Sequence, residues 1–172
     1  MARAKSKVRA RAKKIEVRRS PVRAGAKAKA KTKGRAKAAT AKRAKPQKFA
    51  VSRLREQDFK TDGLRAYAQY RDLGINDATG GLAVAHVIRL KGPCDPKEVS
   101  KLHLHKADFQ MIYVLNGTIT GFFEGAGVHT MKTGDAWLQP PSIKHKVLDY
   151  SDNCELLEIV LPGNFKTVEL ET

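Results

Sequence analysis

Residues 103–117 read HLHKADFQMIYVLNG, and residues 134–149 read GDAWLQPPSIKHKVLD. In an extended chain, side chains two apart share a face, so His103 and His105 offer their imidazoles to one point in space. Gln110 opens the next apolar run and can turn its amide oxygen the same way. His145 joins them if its strand folds back opposite. Three imidazoles suit zinc, iron, nickel, copper or manganese, while a neutral amide oxygen is a weaker fourth ligand than a carboxylate.

Around these stretches lie short β-rich runs bounded by turn signals: residues 82–90, 110–115, 118–124, 128–131, 136–138, 143–150 and 155–161. That spacing predicts an all-β sandwich or barrel. Gly125-Ala126-Gly127 reads as a hairpin loop and Thr133-Gly134-Asp135 as the next turn. Pro140-Pro141 cannot sit inside a central strand, so it marks a loop that enters the His145 strand at a fixed angle. Residues 61–81 mix a short helix or extended arm with glycine-punctuated loop.

The two quoted stretches resemble the two motifs of the cupin superfamily. In the first, His103 and His105 are followed by four residues, Gln110, six residues and Gly117, with Gln110 where the family carries Glu. In the second, Gly134, Pro140, His145 and Asp149 fall in register, with Ser142 where Gly is usual and Asp149 in place of Asn. The leading Gly of the first motif falls at Lys97. The resemblance covers roughly residues 82–170. It implies a double-stranded β-helix, or jelly-roll, barrel that holds one divalent transition metal through His103, His105 and His145, with Gln110 as fourth ligand or close neighbour. It also implies a homodimer, since cupins commonly pair through outer strands, with the segment before Leu82 as an exchanged arm.

Cupins with such sites include dioxygenases, decarboxylases, isomerases and lyases. A divalent ion with three neutral His and a Glu carries about +1, and with Gln about +2, which favours an anionic substrate. The leading expectation is a metal-dependent enzyme that cleaves a small anionic organic molecule with dioxygen. The alternatives are a non-catalytic cupin that binds a small ligand or serves as a dimeric scaffold, and a nucleic-acid-associated protein that uses the barrel to pair.

Three further residues are candidates for acid–base work. His86 alternates with Val84 and Ile88, so it points with the apolar set toward the barrel, as a core histidine or a pocket acid or base. Glu158 lies in the run ELLEIVL; facing inward it becomes the first candidate for a general base, with its pKa raised by desolvation. Tyr113, like Phe122, Phe123 and Trp137, sits on a barrel strand and either fills the core or lines the pocket. His129, beside a hairpin loop, is expected at the surface. Cys94 and Cys154 lack metal-finger spacing and read as free thiols.

The first 50 of 172 residues are a different material. They carry 20 Lys or Arg against one acid, Glu16, a net +19, whereas the remaining 14 bases and 16 acids net −2. Alanine fills 14 more of those positions, and Phe49 is the one aromatic. Such a segment cannot bury enough apolar area to offset its ordering entropy, so the division expected is a disordered tail over 1–48, a linker or arm over 49–81 and a barrel over 82–172. The tail's composition resembles linker-histone tails, and lysines meeting phosphates release counterions, giving non-specific, salt-dependent nucleic-acid binding. A solubilising extension is the plainer reading, and a transit peptide a weaker one, because Ser6 and Ser20 are the only serines before Ser52. No run of about 18 apolar residues exists to span a membrane. The expected location is the cytoplasm, nucleoid-associated if the tail holds nucleic acid.

Overall fold

The computed structural model describes residues 45–170 apart from residues 62 and 64. The basic segment up to residue 44 lies outside the described residues.

Among the described residues ten strands form: β1 (Ala68–Asp72), β2 (Val84–Leu90), β3 (His103–Lys106), β4 (Phe109–Asn116), β5 (Thr118–Phe123), β6 (Gly127–Lys132), β7 (Ala136–Leu138), β8 (His145–Tyr150), β9 (Glu155–Leu161) and β10 (Lys166–Glu169). Two short helices, α1 (Ile75–Thr79) and α2 (Pro96–Val99), punctuate the chain. Asp95 caps α2 by accepting from the Lys97 amide, and Pro96 occupies its first turn, where a missing N–H costs nothing. The strands make two five-stranded antiparallel sheets, ordered β1-β2-β9-β4-β7 and β10-β3-β8-β5-β6. Inward side chains of the two sheets meet between them, as alternation along half-buried strands requires.

Register sorts those inward side chains into levels. Ile88 pairs with Leu156, which pairs with Val114; one level on, His86 pairs with Glu158, which pairs with Ile112; beyond that Gln110 pairs with Val160. In the second sheet Ile119 pairs with Tyr150, Gly121 with Val147 and Phe123 with His145, while His103 meets His145 across β3 and β8. One end of the interior is therefore apolar, built from Leu90, Val114, Ile119, Tyr150, Cys154 and Leu156. The other end collects His86, His103, Gln110, His145 and Glu158.

The β4–β5 connection depends on Gly117. It has φ +75, and a Cβ there would lie 2.9 Å from the Cys154 Cα, so both conformation and close approach call for glycine. Among the described residues no helix is long and apolar enough to cross a membrane.

The structure departs from the sequence-based expectation at the edges. β1 pairs with β2 over five residues, so the sheet begins at Ala68, inside the stretch expected to be linker or arm. β8 starts at His145, because Ile143 belongs to the preceding loop. β1 (AQYRD) and β10 (KTVE) lie at the ends of their sheets. Solvent on one side of such a strand removes the apolar alternation by which strands are read.

Candidate metal centre

His103 and His105 stand two apart on β3, and His145 opens β8 directly opposite His103. Their rings lie with centroids 4.2 Å apart for His103 and His145 and 5.1 Å apart for each pairing with His105. One nitrogen from each falls within 4.8 Å of the other two. The remaining nitrogens are committed. His103 Nδ1 donates to the Lys101 carbonyl at 2.8 Å and His145 Nδ1 to the Ile143 carbonyl at 2.9 Å. His105 Nδ1 pairs with Thr167 Oγ1 on β10 at 2.8 Å. A carbonyl only accepts, so Nδ1 of His103 and His145 must carry the proton, leaving Nε2 of each unprotonated as an acceptor.

Burial keeps these rings uncharged. It pushes His103 down to about 3, with the neighbouring His145 adding to the effect, and His105 down to about 4 against the opposing charge of Glu158. Burial lowers His145 as well. Three neutral imidazoles, two of them with fixed tautomers, are the donor set a divalent transition ion takes, and the outer hydrogen bonds are of the kind that orient such ligands.

Beside them runs a chain of amides and charges. Gln139 Nε2 lies 2.9 Å from both Gln110 Oε1 and His145 Nε2, donating one N–H to each. Gln139 Oε1 accepts from the Trp137 indole at 3.3 Å. Gln110 Nε2 donates to Glu158 Oε1 at 2.6 Å, and Glu158 Oε2 faces His86 Nε2 at 2.6 Å. A carboxylate only accepts, so Glu158 fixes which way the Gln110 amide points and turns its oxygen toward Gln139 and His145. The Gln139 amide thus occupies two acceptors, Gln110 Oε1 and His145 Nε2, that an ion would otherwise take. These groups open on a cavity of about 200 Å³, walled by Ile88, Ile112, Phe123, Trp137, Leu156 and Phe165.

The cupin-domain family model matches residues 94–160. The polyketide cyclase RemF from Streptomyces resistomycificus superposes with a TM-score of 0.55 at 16% identity, over 71% of this chain and 87% of that one. KdgF from a Halomonas species gives 0.53 at 18% identity, over 66% and 94%. Residues 94–160 therefore form a cupin domain, and the chain shares the cupin fold. Salicylate 1,2-dioxygenase from Pseudoaminobacter salicylatoxidans, solved as adducts with gentisate, also resembles this cupin, with a TM-score of 0.51 at 11% identity; the match covers 64% of this chain and 31% of the dioxygenase. No curated protein matches the sequence.

Within this cupin the structure brings together His103, His105, Gln110 and His145, with Glu158 and His86 adjoining them. It does not bring Tyr113, which lies on the outer face of β4 between inward-facing Ile112 and Val114, 38% exposed. Strand alternation excludes it from the cavity, which corrects its candidacy as a catalytic group. Glu158 faces inward, but its pKa runs opposite to the expectation. Burial pushes it up, yet the hydrogen bond and charge of His86 and the Gln110 hydrogen bond outweigh burial and hold it below its ordinary value. Spent on two partners, it is a poor free base. His129 is exposed on β6. Cys94 and Cys154 are free thiols, and burial pushes Cys154 up to about 12.

Two residues of the site escape a reading of the sequence. Gln139 sits at a variable position between the motif's Gly134 and Pro140, where spacing carries no information. Arg65 precedes β1 and lines the cavity from a stretch without periodicity.

Proposed function

We propose that this cupin is a metal-dependent enzyme acting on a small anionic organic molecule, with oxygen-dependent cleavage as its reaction class. The observation that carries the reading is the convergence of three buried, neutral imidazoles, their outer nitrogens tied down, on a largely apolar cavity. His103, His105 and His145 would hold the ion, with Gln110 adding its amide oxygen once the Gln139 amide swings away. A bound divalent ion would supply positive charge to a substrate oxygen and, if redox-active, electrons for dioxygen.

The chain's own residues do the rest. Ile112, Phe123 and Trp137 exclude water from the reacting end, which strengthens every charge interaction there. The ligands are all neutral, so an anion is attracted. Glu158 and His86 satisfy each other, so neither stands free at the cavity as a dedicated proton carrier. Salicylate and gentisate, named with the dioxygenase neighbour, are small aromatic carboxylates, and a molecule of that charge and size suits a cavity with apolar walls and neutral ligands.

The test is metal content by mass spectrometry on the purified full chain, followed by oxygen uptake with a panel of small organic acids. About one transition ion per chain, lost in a His103→Ala, His145→Ala double variant, supports the site. No ion in either protein after incubation with each candidate metal removes the enzyme reading and leaves a ligand-binding barrel.

The segregation of charge favours a second, separable role: contact of residues 1–48 with nucleic acid in the cytoplasm. A homodimer is proposed through the outer face of the first sheet, where Phe109, Tyr113 and Leu138 are exposed on β4 and β7. Light scattering on the full chain reads that directly.

A further inference from the structure

We propose that Arg65 is the anion-recognition residue of the cavity, receiving the carboxylate of a small organic acid whose apolar body lies against the aromatic and aliphatic walls. Arg65 is 8% exposed. Its Nη1 donates to Glu169 Oε1 on β10 at 2.7 Å, but its Nη2 is buried with no hydrogen-bond partner. A buried guanidinium edge left without an acceptor is costly, and a ligand that accepts from it removes the cost. The residue lines the same cavity as His103, His105 and His145.

The surroundings narrow the ligand. Glu169 is half exposed and takes only Nη1 of Arg65, so Nη2 is the uncompensated nitrogen. The free Nη2 can donate to an oxygen of a planar carboxylate, and one guanidinium already partnered by Glu169 is better matched to a singly charged anion than to a phosphate. The walls, Ile88, Ile112, Phe123, Trp137 and Leu156, suit an apolar body, and about 200 Å³ keeps it small. A molecule anchored at Arg65 presents its other end to the imidazoles. The only other buried unpaired side-chain nitrogen among the described residues, Arg71 Nε, belongs to a side chain stacked near the Phe59 ring and does not line the cavity.

This inference deepens the enzyme reading, and what happens at the imidazole end rests on that reading; the recognition of the carboxylate does not. The experiment is therefore run on the full chain stripped of metal by a chelator. Benzoate is titrated against benzamide, its neutral isostere, and read by the fluorescence of Trp137, the chain's one tryptophan and part of the cavity wall. Benzoate should bind about tenfold more tightly than benzamide, and Arg65→Gln should remove that preference. Glu169→Gln leaves an amide oxygen to accept from Nη1 but removes the negative charge that offsets the guanidinium, and so should tighten benzoate. It decides the matter if Arg65→Gln fails to fold: tighter binding supports the proposal, and unchanged or weaker binding overturns it. Equal affinity for benzoate and benzamide, an unaltered preference in Arg65→Gln, or no benzoate binding also overturns it. If the metal experiment fails and the carboxylate preference stands, the enzyme reading falls and Arg65 remains an anion receptor.

Discussion

At position 110 a carboxylate would face the Glu158 carboxylate across the 2.6 Å now spanned by a hydrogen bond. The glutamine is thus matched to Glu158: it donates where a glutamate would repel, and the negative charge the family places on the ligand sits one residue further out. Gln110→Glu is expected to destabilise the metal-free protein by about 2 kcal/mol near neutral pH, measured by urea unfolding. The paired acids would hold a proton more tightly folded than unfolded, so the deficit shrinks as pH falls toward about 5. A bound ion should offset it too. Ser142 offers a change in the other direction. It sits at φ +60 where the family motif carries Gly, and its amide donates to the His105 carbonyl. Ser142→Gly relieves the left-handed strain and keeps that bond, so it should raise stability by about 1 kcal/mol in thermal unfolding. His103, His105 and His145 are legible because ligand type and spacing coincide in the sequence. Gln139 and Arg65 are not, because their roles arise from the direction of an amide and a guanidinium, which no local pattern encodes.

Four strands can be read closely from their apolar pattern: β7 and β9 fall at the residues the pattern indicates, and β4 and β5 within one residue of it. The edge strands β1 and β10 cannot, and β10 matters most for the site. Its four residues supply the hydroxyl of Thr167 to His105 Nδ1 and the carboxylate of Glu169 to Arg65 Nη1. A strand with so little apolar surface is held mainly by its pairing with β3. Thr167→Val keeps the β-branched shape but removes the partner that orients His105, and should weaken metal affinity by about tenfold, measured by competition with a chelating dye. Stability should move little, which separates orientation of the ligand from support of the fold. The loop between β7 and β8 makes the complementary contribution, delivering the Ile143 carbonyl that aims His145.

Over the whole chain, charge is the dominant asymmetry: +19 in the first 50 residues against −2 in the rest. Duplex DNA of arbitrary sequence should bind the full chain at low salt, with log affinity falling linearly against log salt by about 0.9 for each phosphate neutralised. Fluorescence anisotropy measures it, and unrelated sequences should behave alike. No binding at low salt would remove the tail's proposed partner. The barrel's own asymmetry lies along its length, with packed aliphatic levels toward Cys154 and polar levels toward Gln110. Mutations at the two ends therefore answer to different selective demands. Change near Cys154 removes packing and unfolds the protein, while change among the polar side chains around Gln139 and Arg65 alters what the cavity accepts at smaller cost to packing, so a lineage with this architecture can exchange one substrate for another without first losing its fold.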